Sequence, residues 1–129
     1  MGNGTEIGRV RGLGSAKEGA HHWIAQRLTA LSNLLLMLWF IGSLVMLPSL
    51  SFATVSAWLS SPLAAVPMIL LLISTCWHLR LGLQVFIEDY VHEASGKLPL
   101  LILLNFYAIG AAALGTFAVL KLAFTGAAA

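Results

Sequence analysis

A histidine stands in the middle of one of the most apolar stretches of this sequence. The run Ser74-Thr75-Cys76-Trp77-His78-Leu79-Arg80-Leu81-Gly82 carries an imidazole and a guanidinium, and it leads on to Glu88, Asp89 and Tyr90. Ionisable groups inside a membrane-length helix are expensive and mark functional positions by default. An imidazole there can ligate a metal, or it can hydrogen-bond a neighbouring helix. A carboxylate at the end of such a run can pass protons, and a phenol can donate to an oxygen that is gaining negative charge.

Helical rotation of about 100° per residue decides which of these groups share a face. Asp89, eleven residues after His78, returns to within about 20° of it, and Ser74, Gly82 and Val85 fall on the same stripe. At helical rise His78 lies roughly 16 Å from the end of the run, near the middle of a bilayer. Gly82 removes a side chain one turn from the imidazole, the clearance a flat macrocycle needs around its iron ligand. Ser74, through its hydroxyl or its carbonyl, is placed to accept the second ring N–H and fix the tautomer. On spacing alone, haem ligation and helix–helix hydrogen bonding both stay open, because small-residue stripes are common in ordinary helix packing. His21, His22 and His92 all fall at or beyond the interface. A second histidine ligand would therefore come from another chain.

The elements that must position these groups are long apolar helices. Of 129 residues, 59% are hydrophobic and 9% charged, against about 25% charged in a soluble domain. A soluble fold of this length has no interior large enough for so much apolar surface. A helix crosses the bilayer core with about 20 apolar residues. Such runs extend over about 28–47, ending before Pro48, over 63–89 and over 98–124. The expectation is an all-α integral membrane protein with three transmembrane helices, residues 1–19 forming an N-terminal segment and 20–129 the membrane domain. The 48–62 connection has no Lys or Arg, whereas the N-terminal segment holds Arg9, Arg11, Lys17 and Arg27 and the 90–97 loop holds Lys97. By the positive-inside rule the N-terminus and second loop face the cytoplasm, with Lys121 the one dissenting charge and Trp58 and Phe52 at the outer interface.

A net charge of +2 spread without a basic cluster gives no nucleic-acid footprint. Cys76 has no cysteine partner in the chain, and the absence of a Cys-x-x-Cys-His motif makes any haem non-covalent. Residues 1–19 hold six glycines and no apolar core, unlike a signal peptide, and Glu6 and Glu18 argue against a mitochondrial presequence. A bacterial inner (cytoplasmic) membrane is the expected home. Three spans without an inverted repeat or a broken helix argue against a transporter.

Residues 78–90 read His-x-x-x-Gly-x-x-x-x-x-x-Asp-Tyr, and Arg27-Leu28-Thr29-Ala30 follows His21 by six positions. On a three-span chain these two motifs together resemble the hydrophobic membrane anchor of succinate dehydrogenase (succinate:quinone oxidoreductase, respiratory complex II). Gly14-Ser15-Ala16-Lys17-Glu18-Gly19 is similar to its alphaproteobacterial members. The resemblance implies that His78 is an axial ligand of the iron of a b-type haem. A sister cytochrome b anchor subunit, packed against this chain, would supply the opposite histidine. It implies Arg27, and less directly His21, at the haem propionates. Tyr90 would donate to a ubiquinone carbonyl, with Asp89 beside it. Flavoprotein and iron–sulfur subunits would oxidise succinate and dock on the cytoplasmic face, so this chain carries no catalytic centre for succinate. It would serve electron transport from the tricarboxylic acid cycle to quinone. A haem-containing fumarate reductase anchor and a purely structural anchor are the alternatives.

Arg80 departs from that pattern. It points to the side of the helix away from His78 and is expected either to meet a carboxylate of a partner chain or to snorkel to the interface. His22 and His92 are expected to be solvated, Glu88 and Glu93 to form a surface pair, and Asn105 and Tyr107 to hydrogen-bond across helices.

Overall fold

The computed structural model describes residues 17–125. Four helices follow in order: α1 (Lys17–Met46), α2 (Phe52–Leu59), α3 (Pro62–Tyr90) and α4 (Ala94–Thr125). No strand occurs among the described residues. Helices α1, α3 and α4 are each long and apolar enough to cross a membrane. The three expected spans are therefore present. Most of the expected 1–19 segment, with Arg9 and Arg11, lies outside the described residues.

Two boundaries differ from the hydropathy reading. The first apolar run begins at Leu28, but α1 is already helical from Lys17. Polar side chains end a hydropathy window without interrupting the i→i−4 hydrogen bonds of the backbone, and Ala20, Gln26 and Arg27 are good helix formers. The 90–97 loop is likewise shorter than expected. Only residues 91–93 lie outside helices, so Lys97 sits in the first turn of α4, where its Nζ donates to the Glu88 carbonyl at 3.2 Å.

The connection 48–62 contains a helix of its own. Ser51 caps α2 by accepting from the Thr54 amide at 3.3 Å, which satisfies one of the orphan donors of a helix start. Pro62 opens α3 at a position where its missing N–H costs nothing. Helix α2 folds back against α3 and α4. There Leu59, Ala65 and Val119 form a small buried cluster, with Val55, Met68 and Leu72 packed around it. Trp58, expected at the outer interface, is half-buried and stacks on Trp39 of α1, ring centroids 5.8 Å apart. Phe52 is exposed, as expected.

The long helices form a row. Helix α3 packs on α1 along one flank and on α4 along the other, while the backbones of α1 and α4 stay apart. Where helices touch, alanines and larger aliphatic residues share the contacts: Ala64, Ala65 and Ala108 are buried, as are Leu71, Leu81 and Leu104. A Cβ built on Gly115 would come within 3.1 Å of Leu72 Cδ1. Small residues let helix backbones approach when lipid removes the hydrophobic drive for association. Many other large apolar side chains face outward, among them Leu28, Phe86, Phe106 and Phe117, as expected where the surrounding solvent is hydrocarbon.

Candidate functional site

The start of α1 and the end of α3 lie at the same end of this antiparallel pair, the near end. Thr29 lies twelve residues in from the start of α1, and His78 lies twelve residues back from the end of α3. Equal counts bring the two side chains level. His78 Nδ1 is 2.9 Å from Thr29 Oγ1, and the ring is half-buried in the α1–α3 seam. Its Nε2 has no hydrogen-bond partner among the described residues. Thr29 Oγ1 is also 2.8 Å from the Ala25 carbonyl oxygen and 3.1 Å from that of Gln26.

Two further polar contacts extend the seam away from the near end. Ser74 Oγ donates to the Thr29 carbonyl at 3.5 Å, and Thr75 Oγ1 donates to Asn33 Oδ1 at 3.5 Å. This corrects the expectation for Ser74. It reaches the backbone of α1, and the partner of the imidazole is Thr29. Thr29 lies inside the Arg27–Ala30 motif, but sequence reasoning gives it no role of its own. The signal that finds it is the matched depth on antiparallel helices, and that requires the true start of α1.

Toward the near end the seam widens into a cavity of about 760 Å³, whose lining includes His22, Trp23, Gln26, Gly82 and Glu88. His22, expected to be solvated, is half-buried, and its Nε2 and the Gln26 Oε1 are buried without a hydrogen-bond partner among the described residues. His21, one residue earlier and about 100° around the helix, is exposed. A Cβ on Gly82 would meet Gln26 Nε2 at 3.5 Å, so the bare backbone of α3 faces a side chain of α1.

The remaining candidates lie on the surface of the same end. Arg27 is exposed, its guanidinium carbon 4.4 Å from the centre of the Trp23 ring. Asp89 and Tyr90 are exposed at the end of α3, and the Tyr90 ring stacks on Phe86 with centroids 4.6 Å apart. His92 is exposed in the turn, as expected. Glu88 takes Gln84 Nε2 as its partner at 2.9 Å, in place of the expected pairing with Glu93.

On the other flank of α3, Arg80 Nε donates to Asn105 Oδ1 of α4, and the guanidinium also lies over Trp77, 5.4 Å from the ring centre. Within the chain, then, Arg80 meets an amide of α4, a partner that neither expectation for it included. Asn105 makes the interhelical bond expected of it. Tyr107 is exposed on α4 and makes no such bond among the described residues. Cys76 is a half-buried free thiol. Among the described residues no group of three or more His, Cys, Asp or Glu converges to hold a metal ion.

Three apolar spans with an imidazole, a guanidinium and hydroxyls held in their seams define a multi-pass membrane protein with a polar site inside the lipid. Residues 1–119 match the family model described as the succinate dehydrogenase/fumarate reductase transmembrane subunit, and the chain belongs to that family. It is similar to the succinate dehydrogenase hydrophobic membrane anchor subunit of Rickettsia bellii (strain RML369-C), with 33% identity over 106 residues, 81% of this chain and 84% of the relative. The protein of the same description from Rickettsia conorii (strain ATCC VR-613 / Malish 7) is 30% identical over the same shares of the two chains. That of Rickettsia typhi (strain ATCC VR-144 / Wilmington) is 27% identical over 105 residues. The resemblance to the alphaproteobacterial succinate dehydrogenase anchor read from the two motifs is borne out.

Proposed function

We propose that this chain anchors a succinate:quinone oxidoreductase in the bacterial inner membrane, holds half of a b-type haem site and contributes to a ubiquinone pocket. The observation that carries the reading is the state of His78. Near the middle of α3 one ring nitrogen is engaged by the chain's own Thr29, while the other has no partner among the described residues. An axial ligand needs this arrangement, with one nitrogen anchored so that the other is held ready.

The residues fit a shared haem. His78 would hold the group through one imidazole, the single iron ligand this chain has to bring. The opposite histidine comes from the sister anchor subunit. Arg27 suits a propionate because its planar fork matches a carboxylate. Stacking on Trp23 occupies the face of the guanidinium and leaves its in-plane N–H groups free. His21, exposed at the same end, adds a second donor toward that edge. Bound there, the haem supplies a one-electron store beside the quinone chemistry.

Reduction of ubiquinone takes two electrons and two protons. Negative charge gathers on a carbonyl oxygen before the proton arrives, and the phenol of Tyr90 stabilises it by donating a hydrogen bond. The Phe86 stack limits where the Tyr90 ring can swing, and so aims its hydroxyl. Asp89, solvated at the end of the helix, passes protons from water toward that oxygen. Electrons come from an iron–sulfur subunit, fed in turn by a flavoprotein that oxidises succinate. Both dock at the near end, which is cytoplasmic by the excess of Lys and Arg in the first 27 residues over the 48–62 segment. A fumarate reductase anchor uses the same groups in reverse. The descriptions of the Rickettsia relatives favour the succinate direction.

The test is purification of the intact complex in mild detergent, identification of the chains that travel together, and a reduced-minus-oxidised spectrum. Flavoprotein and iron–sulfur partners with a b-type band are expected, the band being lost or altered in His78→Ala. A complex without those partners rejects the reading, and an unchanged band in His78→Ala leaves a purely structural anchor.

A further inference from the structure

The contacts of Thr29 in the α1–α3 seam bear on which nitrogen of His78 carries a proton. Thr29 Oγ1 lies within hydrogen-bonding distance of three atoms: the Ala25 carbonyl at 2.8 Å, the Gln26 carbonyl at 3.1 Å and His78 Nδ1 at 2.9 Å. A hydroxyl has one proton to give and two lone pairs with which to accept, whereas a carbonyl oxygen only accepts. The Thr29 proton therefore goes to a carbonyl of its own helix, and Thr29 offers His78 a lone pair. Nδ1 must then be the donor, and in a neutral imidazole that leaves Nε2 without a proton and free to ligate. The opposite orientation, with Thr29 donating to Nδ1, gives up the bond from Oγ1 to its own helix and puts a proton on the nitrogen that would face iron.

We propose that Thr29 is the positioning residue of His78, selecting the Nδ1–H tautomer and setting the ring's rotation so that Nε2 presents its lone pair outward. The proposal rests on the reading of His78 as an iron ligand. Ser74 reinforces the device, because its hydroxyl donates to the backbone carbonyl of the same threonine one turn along α3 from the imidazole. Helix α3 thus grips Thr29 at its side chain and its main chain, which fixes the hydroxyl relative to the ring. The chain of bonds from Nδ1–H to Oγ1–H to a helix carbonyl also polarises the imidazole toward its Nε2 lone pair. An imidazole that gives more electron density to iron favours ferric over ferrous, so the intact chain of bonds would lower the haem potential.

The experiment compares Thr29→Val, which keeps the shape and removes the acceptor, with Thr29→Ser, which keeps the hydroxyl, both in the intact purified complex. Redox titration of the b-haem, its low-spin electron paramagnetic resonance signature and its retention on dilution are recorded. Thr29→Val is expected to raise the potential, shift the signature and weaken haem retention by about tenfold to a hundredfold, with Thr29→Ser close to the unsubstituted complex. If Thr29→Val does not assemble, Thr29→Ala against Thr29→Ser makes the same comparison. Equal potentials, signatures and retention with and without the hydroxyl overturn the proposal. His78→Ala in parallel separates the two levels: loss of haem there, with an indifferent Thr29, rejects only the positioning role, whereas an unaltered haem rejects the ligand itself.

Discussion

Arg80 of α3 and Asn105 of α4 meet across the second helix seam, the guanidinium Nε donating to Asn105 Oδ1 while Asn105 Nδ2 donates to the Leu101 carbonyl at 2.8 Å. The amide thereby spends its donor on its own helix and keeps its acceptor for the cation. A positive charge well inside a span is held without a carboxylate among the described residues, helped by the Trp77 ring beside it.

Asn105→Leu is therefore expected to destabilise the complex by more than an ordinary interhelical hydrogen bond, which is worth about 0.6 kcal/mol in lipid. The excess arises because the guanidinium loses its acceptor, and a charge at membrane depth costs about 3 kcal/mol on insertion scales. Thermal denaturation in detergent checks this. Arg80→Leu combined with Asn105→Leu should be less destabilising than Asn105→Leu alone, since the double change removes the stranded charge.

Tyr90→Phe keeps the stack on Phe86 and removes only the hydroxyl. Quinone reduction is expected to slow by about a hundredfold, the usual scale for losing one donor to a developing oxyanion. Succinate oxidation with an artificial acceptor should be unchanged. Normal quinone turnover in this variant removes Tyr90 from the pocket.

Ser56 is 1% exposed, and its hydroxyl is buried without a hydrogen-bond partner among the described residues. Ser56→Ala removes that unsatisfied group at nearly constant shape and should stabilise the protein by about 1 kcal/mol. A melting temperature below that of the unsubstituted protein would mean the hydroxyl has a partner in the assembled state.

Gly115 faces Leu72 closely enough that an added Cβ would sit 3.1 Å from a methyl at the flexible end of that side chain. Gly115→Ala should be nearly neutral, because Leu72 gives way and helix propensity improves. Gly115→Leu should cost about 1–3 kcal/mol by forcing α3 and α4 apart, again read by thermal denaturation.

The spans were legible because apolar length alone sets them, and the placement of His78, Asp89 and Tyr90 was legible because all three ride on one helix whose rotation is known. Contacts between helices were not. Thr29 opposite His78 and Asn105 opposite Arg80 depend on how two cylinders are turned toward each other, and the period of one sequence does not contain that angle. His21 and His22 make the same point in adjacent positions, one exposed and one turned into a cavity. Helix α2 was missed because eight residues between two serines, too short for a span, read as a connection, although the Ser51 cap was a usable signal.

Among the described residues the backbones of α1 and α4 stay apart, each packed on α3, so the long helices form two seams rather than a closed bundle. A copy inserted without company leaves the margin beside its histidine open to lipid and to membrane proteases. Its lifetime should then follow the supply of whatever closes that margin, making cellular abundance a matter of matched synthesis rather than intrinsic sturdiness.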